Sequence, residues 1–236
     1  MPPEIIQIKK ELRMVGSLEK ADILRRFFKT GKGEYGEGDR FLGVVVPEQR
    51  KIANKFTKIK IRDLEILIKS EFHEERFTAL MILISKFKKA KEEEKQKIFD
   101  FYLKNTKWIN NWDLVDLSAP HIIGEHLKKK DKTILMKLAY SKNLWERRIS
   151  ILSTFAFIKE KDPKETLTIS RILLNDEEDL IHKAVGWMLR EVGKKCGEKI
   201  EEDFLDKNCT NMPRTMLRYA IEKFPETKRK HYLNKR

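Results

Sequence analysis

The chain has 236 residues, 40% of them hydrophobic and 37% charged, enough to bury a sizeable core as one large domain or two small ones. With 51 Lys+Arg against 37 Asp+Glu the formal net charge is +14, which implies a polyanionic partner, nucleic acid ahead of an anionic membrane surface, although Lys/Glu enrichment also accompanies thermophily. Only 10 Gly and 7 Pro argue against a many-turned β fold, and two cysteines without a C-x-x-C pair (Cys196, Cys209) exclude a disulfide framework and point to the cytoplasm.

In chain order, apolar residues recur at the i, i+3, i+4 spacing of amphipathic helices. The pattern predicts helices over 4–15, 18–28, 47–57, 61–71, 74–89, 92–104, 111–128, 132–141, 144–158, 164–174, 177–195, 198–205 and 212–224. Ser17 is placed to cap the second helix, Pro47 suits a first helical turn, and Asp162-Pro163 breaks the chain between two helices. Short connections make neighbours antiparallel pairs, recurring at roughly the period of HEAT or armadillo units. Such pairs stack into a curved α-solenoid with a concave face. With no inter-domain linker, 1–236 reads as a single domain. The N-terminus has no apolar segment of a secretory signal, and runs such as Ala79–Ile84 are far too short to span a bilayer.

Residues 30–46 interrupt the helical pattern and hold half the glycines. Gly31, Gly33 and Gly36 spell G-x-G-x-x-G, but no strand precedes them and no βαβ unit follows, so the dinucleotide reading fails. The loop, with Tyr35 in it, is instead a candidate contact for a phosphate backbone, since glycines allow close approach.

Three predicted helices pair tryptophan with charge. Trp112 and Asp116 are four residues apart and share a helix face, setting a cation-attracting ring beside an acceptor-only anion. Trp145 and Arg148 share a face, next to Arg147; Lys183, Trp187 and Arg190 share another. Each has a plainer structural reading: a helix tryptophan is more often core, and a helix arginine more often solvated. Three such faces in one basic helical chain favour a site. His121 and His126 lack a third ligand, His73-Glu74-Glu75-Arg76 fails H-E-x-x-H, and there is no P-loop or G-x-S-x-G elbow.

At these residues the chain resembles the AlkD-like DNA alkylation repair family. The resemblance is carried by Lys107–Asp116, Asn143–Arg148 and Lys183–Glu191, together with Phe41-Leu42-Gly43-Val44, Pro47-Glu48-Gln49-Arg50 and Met212–Ala220, all in the family's order. It implies an all-α fold of HEAT-like repeats whose concave basic face holds duplex DNA. It also implies a glycosylase that excises N3- and N7-alkylated purines, with no metal or cofactor. By position Trp112, Asp116 and Arg148 match the active-site trio and Trp187 a further cleft tryptophan. Arg190 matches a cleft-side basic residue; Lys183, Arg147, Arg214 and Arg218 are further expected DNA contacts. Val45 and Phe27 depart from the family's pattern, where polar and tyrosine residues are expected. The resemblance implies a duplex gripped without a deep base pocket; a concave DNA clamp needs no partner subunit, so a monomer is expected. The rival readings are a catalytically silent relative that recognises bent, branched or damaged DNA, and a HEAT-type scaffold for a protein. Retention of Asp116 favours the enzyme over the first, and the basic excess disfavours the second.

Overall fold

The computed structural model describes residues 1–235, and they form an all-α fold. Two compact units divide it, Met1–Ser118 and Ala119–Arg236. Among the described residues no helix is long and apolar enough to cross a membrane.

The first unit contains α1 (Pro3–Met14), α2 (Leu18–Phe27), α3 (Val46–Lys55), α4 (Ile61–Ile68), α5 (His73–Lys89) and α6 (Glu92–Lys104), then a 3-10 turn, Thr106–Trp108, and α7 (Trp112–Ala119). The Ser17 hydroxyl accepts the Lys20 amide and so caps α2, and Pro47 lies in the first turn of α3, as expected. The centre of the unit is α5, packed against α1, α3, α4 and α6. It is buried without a break from His73 to Ile84, so its first turn of charged residues is inside the protein.

Those charges are satisfied by design of the surrounding chain. Glu74 Oε1 and Oε2 accept the backbone amides of Leu42, Gly43 and Val44 at 2.9, 2.8 and 3.2 Å. Glu75 receives Lys9 and Arg13, both at 2.9 Å. A single bridge, Arg40 to Phe72, lays the end of the 30–46 loop beside the chain entering α5. Gly43 has φ +79°, and a Cβ there would lie 1.9 Å from the Ser17 carbonyl oxygen, so only glycine lets the loop turn this close to α2.

The second unit contains a π-helical turn, Pro120–Gly124, then α8 (Glu125–Leu127), α9 (Thr133–Ala139), α10 (Leu144–Ser153), α11 (Phe155–Lys159) and α12 (Lys164–Ile172). It continues with α13 (Asp179–Lys195), α14 (Glu198–Asn208), α15 (Arg214–Ala220), a 3-10 turn at Ile221–Lys223 and α16 (Glu226–Asn234). Here α13 is central, packed against α10, α11, α12, α14 and α15.

Two predicted helices are interrupted. The run over 111–128 becomes α7, the π turn and α8, because Pro120 has no N–H to donate to the Asp116 carbonyl one turn earlier. The run over 144–158 breaks at Thr154, where the Ser153 and Thr154 hydroxyls donate to the carbonyls of Ile149 and Ile151 and compete with the helical bonds. The α16 helix was not expected: its Lys-rich sequence has only Tyr232 buried and so no apolar period to detect.

Candidate active site

Within the first unit, Trp112 and Asp116 line one cavity of about 610 Å³. Phe27, Phe28, Phe41, Val44, Val45 and Trp112 form its apolar wall, and Asp113 and Asp116 bring carboxylates to it. Glu74 ties Leu42, Gly43 and Val44 to α5, beside the Phe41, Val44 and Val45 side chains that line the cavity.

Trp112 is held by stacking. Its ring lies 5.4 Å from Phe28 at 29° and 5.9 Å, edge-on, from Phe27. Phe28 stacks in turn on Phe41 at 5.2 Å and 11°. The start of α7 is fixed by Asn111, fully buried, whose Oδ1 accepts the Trp112 amide at 2.8 Å. Asp116 is partly exposed one turn later, and its charge reaches Tyr102: burial holds that phenol above its ordinary range and Asp116 adds to the effect. Both departures from the family pattern lie at the cavity, Phe27 at 60% exposed and Val45 at 42%, so its rim is apolar.

Tyr35 is half-buried, its hydroxyl donating at 3.5 Å to the Phe27 carbonyl. The glycine amides around it are already engaged: Gly31 N–H donates to Glu34 and Gly33 N–H to Glu37, each at 2.8 Å. This stretch therefore turns its own carboxylates onto the Gly31 and Gly33 amides.

In the second unit, Arg148 on α10 is 5% exposed and its Nη1 donates to the Leu180 carbonyl at 2.5 Å, which fixes the guanidinium in one orientation. Arg147 forks onto Asp176, Nε at 2.6 Å and Nη2 at 3.2 Å, and its Nη1 donates to the Ser141 and Lys142 carbonyls. On α13, Lys183 pairs with Asp179 at 2.7 Å, Trp187 lies against Phe155 at 6.3 Å, and Arg190 is ion-paired with Glu222. On α15, Arg214 donates to the Leu233 carbonyl at 2.9 Å and Arg218 is exposed. Gly186 lets α13 and α15 meet closely, since a Cβ there would lie 2.4 Å from the Met216 carbonyl oxygen.

The sequence reading missed a buried polar cluster at the cavity. His73 is 2% exposed, with Nδ1 at 3.0 Å from Asp39 Oδ2 and Nε2 at 2.8 Å from Asp113 Oδ2. Asp39 also receives Arg76 at 2.5 Å and the Asn111 amide at 3.3 Å. Burial opposes the imidazolium, but Asp113 by charge and hydrogen bond, with Asp39, overcomes it and raises the His73 pKa. Burial likewise opposes the Asp39 carboxylate, and His73 and Arg76 hold its pKa below the ordinary value. The one local cue was the run His73–Arg76 leading a helix whose residues 79–84 are all apolar, a pattern that equally fits a solvated first turn.

A family model described as DNA alkylation repair enzyme matches residues 8–224. A solved structure described as a predicted DNA alkylation repair enzyme from Enterococcus faecalis superposes with a TM-score of 0.69 at 16% identity, covering 89% of this chain and 97% of that one. No curated protein sequence matches the chain. At that identity the structural likeness establishes a shared helical fold, and it is the family match across both units that places the sequence: the chain belongs to the DNA alkylation repair enzyme family.

Proposed function

We propose that this protein is a DNA glycosylase that hydrolyses the N-glycosidic bond of N3- or N7-alkylated purines in duplex DNA. The observation that carries the reading is the joint presence of Trp112 and Asp116 on one apolar cavity. Alkylation at N3 or N7 makes the purine cationic, so the C1′–N bond breaks with its electron pair leaving to a base that needs no added proton. The sugar is left oxocarbenium-like. Asp116 stabilises that charge and accepts a hydrogen bond from the water that adds to C1′, and the proton this water loses passes to Asp116 and on to solvent. Trp112 offers a π-face to the cationic nucleotide, a contact strengthened where water is excluded. Trp187 packs on the lesion strand, Arg148 holds a backbone phosphate, and Lys183, Arg190, Arg147, Arg214, Arg218 and Tyr35 add contacts to the duplex. The +14 net charge supports a polyanionic substrate. No metal or cofactor takes part in this scheme.

The test is release of 3-methyladenine and 7-methylguanine from methylated duplex by the parent and by Asp116→Asn. Release by the parent and its loss in the variant is the expected result. No release by the parent rejects the enzyme reading in favour of a silent DNA-binding relative; equal release by both removes Asp116 from its role. Arg148→Ala should lower DNA affinity and reduce the slope of log K against log salt by about one phosphate contact.

A further inference from the structure

We propose that His73 is a positioning residue for the Trp112–Asp116 face, acting as a buried imidazolium clamped between Asp39 and Asp113. This rests on the glycosylase reading for its catalytic consequence, and on geometry alone for the clamp.

Both ring nitrogens of His73 lie within 3.0 Å of carboxylate oxygens. Ionised carboxylates only accept, so a neutral imidazole could satisfy one of them and would turn a lone pair toward the other. Only the imidazolium donates to both. The charges facing it are Asp39 from the loop, Asp113 from α7, and Arg76 from its own helix, whose Nη2 is on Asp39 Oδ1. The remaining neighbours are rings: Phe41 stacked at 4.7 Å, Phe28 at 5.0 Å and Phe77 at 6.4 Å. With His73 protonated, two cations balance two anions; with it neutral, a net negative charge stays in a largely buried cluster.

The clamp acts on the site through α7. Asp113 follows Trp112 directly, and its other oxygen, Oδ1, accepts the Leu114 amide at 2.8 Å, so the carboxylate ties the first turn of α7 to His73. Asp39 reaches that turn as well, by way of the Asn111 amide. Phe28 lies against both the His73 ring and the Trp112 ring, so one phenyl transmits the packing of each to the other. Losing the proton frees one carboxylate, loosens the head of α7, and moves the indole and the Asp116 carboxylate that the same helix carries. A purely structural histidine would cost stability when replaced but would not give the site a pH dependence of its own.

The experiment is a titration of the imidazole nitrogens of the parent by long-range 1H–15N NMR. His73 is assigned by comparison with His73→Gln, and the Trp112 indole cross-peak with Trp112→Phe. Both His73 nitrogens should still carry protons at the ordinary histidine midpoint of about 6.5, and the proton should be lost only above it. The Trp112 cross-peak should move over the same titration. His73→Gln and Asp113→Asn should each slow single-turnover excision about tenfold or more while DNA affinity changes less than about threefold. The fall of the parent's rate as that proton leaves should be missing from His73→Gln. A His73 that loses its proton at or below the ordinary histidine value, a Trp112 cross-peak indifferent to the titration, or variants with the parent's rate and pH profile would each overturn the proposal. If the parent excises nothing, the glycosylase reading falls and the two NMR arms still decide the clamp. Should a variant fail to fold, His73 is assigned in the parent from its through-space contacts with the Phe28 and Phe41 rings, and the titration still decides the clamp.

Discussion

The carboxylate of Glu74 accepts the amide of Gly43 at 2.8 Å, joining a buried helix to a loop residue 31 positions earlier in the chain. Because the neighbouring amides of Leu42 and Val44 use the same carboxylate, one side chain supplies the acceptors for a whole bend. Glu74→Gln turns one of those oxygens into a donor facing donors. A buried amide left without its acceptor costs about 1–3 kcal/mol, so urea unfolding should report a loss of that size. A change below about 0.5 kcal/mol would show that the loop does not depend on the carboxylate.

Trp112 separates packing from cation attraction. Trp112→Phe keeps an aromatic ring against Phe28, so its stability should stay within about 1 kcal/mol of the parent. The smaller π-surface should still slow excision of a cationic purine by roughly 3–10-fold. Trp112→Ala should lose about 2–4 kcal/mol and most activity. A phenylalanine variant as fast as the parent would reduce Trp112 to a packing residue.

Gly186→Ala sets helix propensity against space. Alanine normally gains about 1 kcal/mol over glycine inside a helix. Here its Cβ would meet the Met216 carbonyl, a backbone atom, at 2.4 Å, and α13 and α15 would have to separate. Overpacking of this kind costs about 1–3 kcal/mol, so thermal denaturation should show a net loss, where a gain would contradict the close approach.

Glu201 makes the second unit sensitive to alkali. Burial, then the neighbouring Glu198 charge, pushes its pKa up to about 8 despite Arg190 and Lys228, and its Oε1 has no hydrogen-bond partner among the described residues. The folded state therefore holds a proton that the unfolded chain releases near the ordinary value of 4.5. The sign follows: stability is greatest below that value and falls as pH rises through about 8. Glu201→Gln should match the parent's Tm at acidic pH and exceed it at alkaline pH by a few degrees, corresponding to roughly 1–3 kcal/mol. Parallel Tm curves for the two proteins across this range would refute the assignment.

Helices with an apolar stripe were legible in the sequence, and so was the Trp112–Asp116 face, because an i, i+4 pair needs only the helical period to be read. Breaks at Pro120 and Thr154 were harder to see, since the apolar period runs straight across both. The Asp39–His73–Asp113 cluster was not legible. Its three members come from a loop and two helices, and nothing local distinguishes a buried His73–Arg76 run from a solvated one. Only the tertiary fold decides that Glu74 meets amides and Glu75 meets Lys9 and Arg13. The glycine-rich loop was legible as a break in the helical period, whereas the pairing of its Gly31 and Gly33 amides with Glu34 and Glu37 was not, because those side chains read as ordinary surface charge.

The burial of α5 on all sides from His73 to Ile84 has a consequence for how this protein can change over generations. A surface helix offers two or three solvent positions per turn where substitutions accumulate without effect. Along these residues there is no such position, and the polar ones among them hold the loop and α7 in place. A saturation scan should find this segment intolerant at every residue rather than at every third or fourth. Variation in the cavity must then enter from α2, the loop and α7, with α5 as the fixed frame behind them.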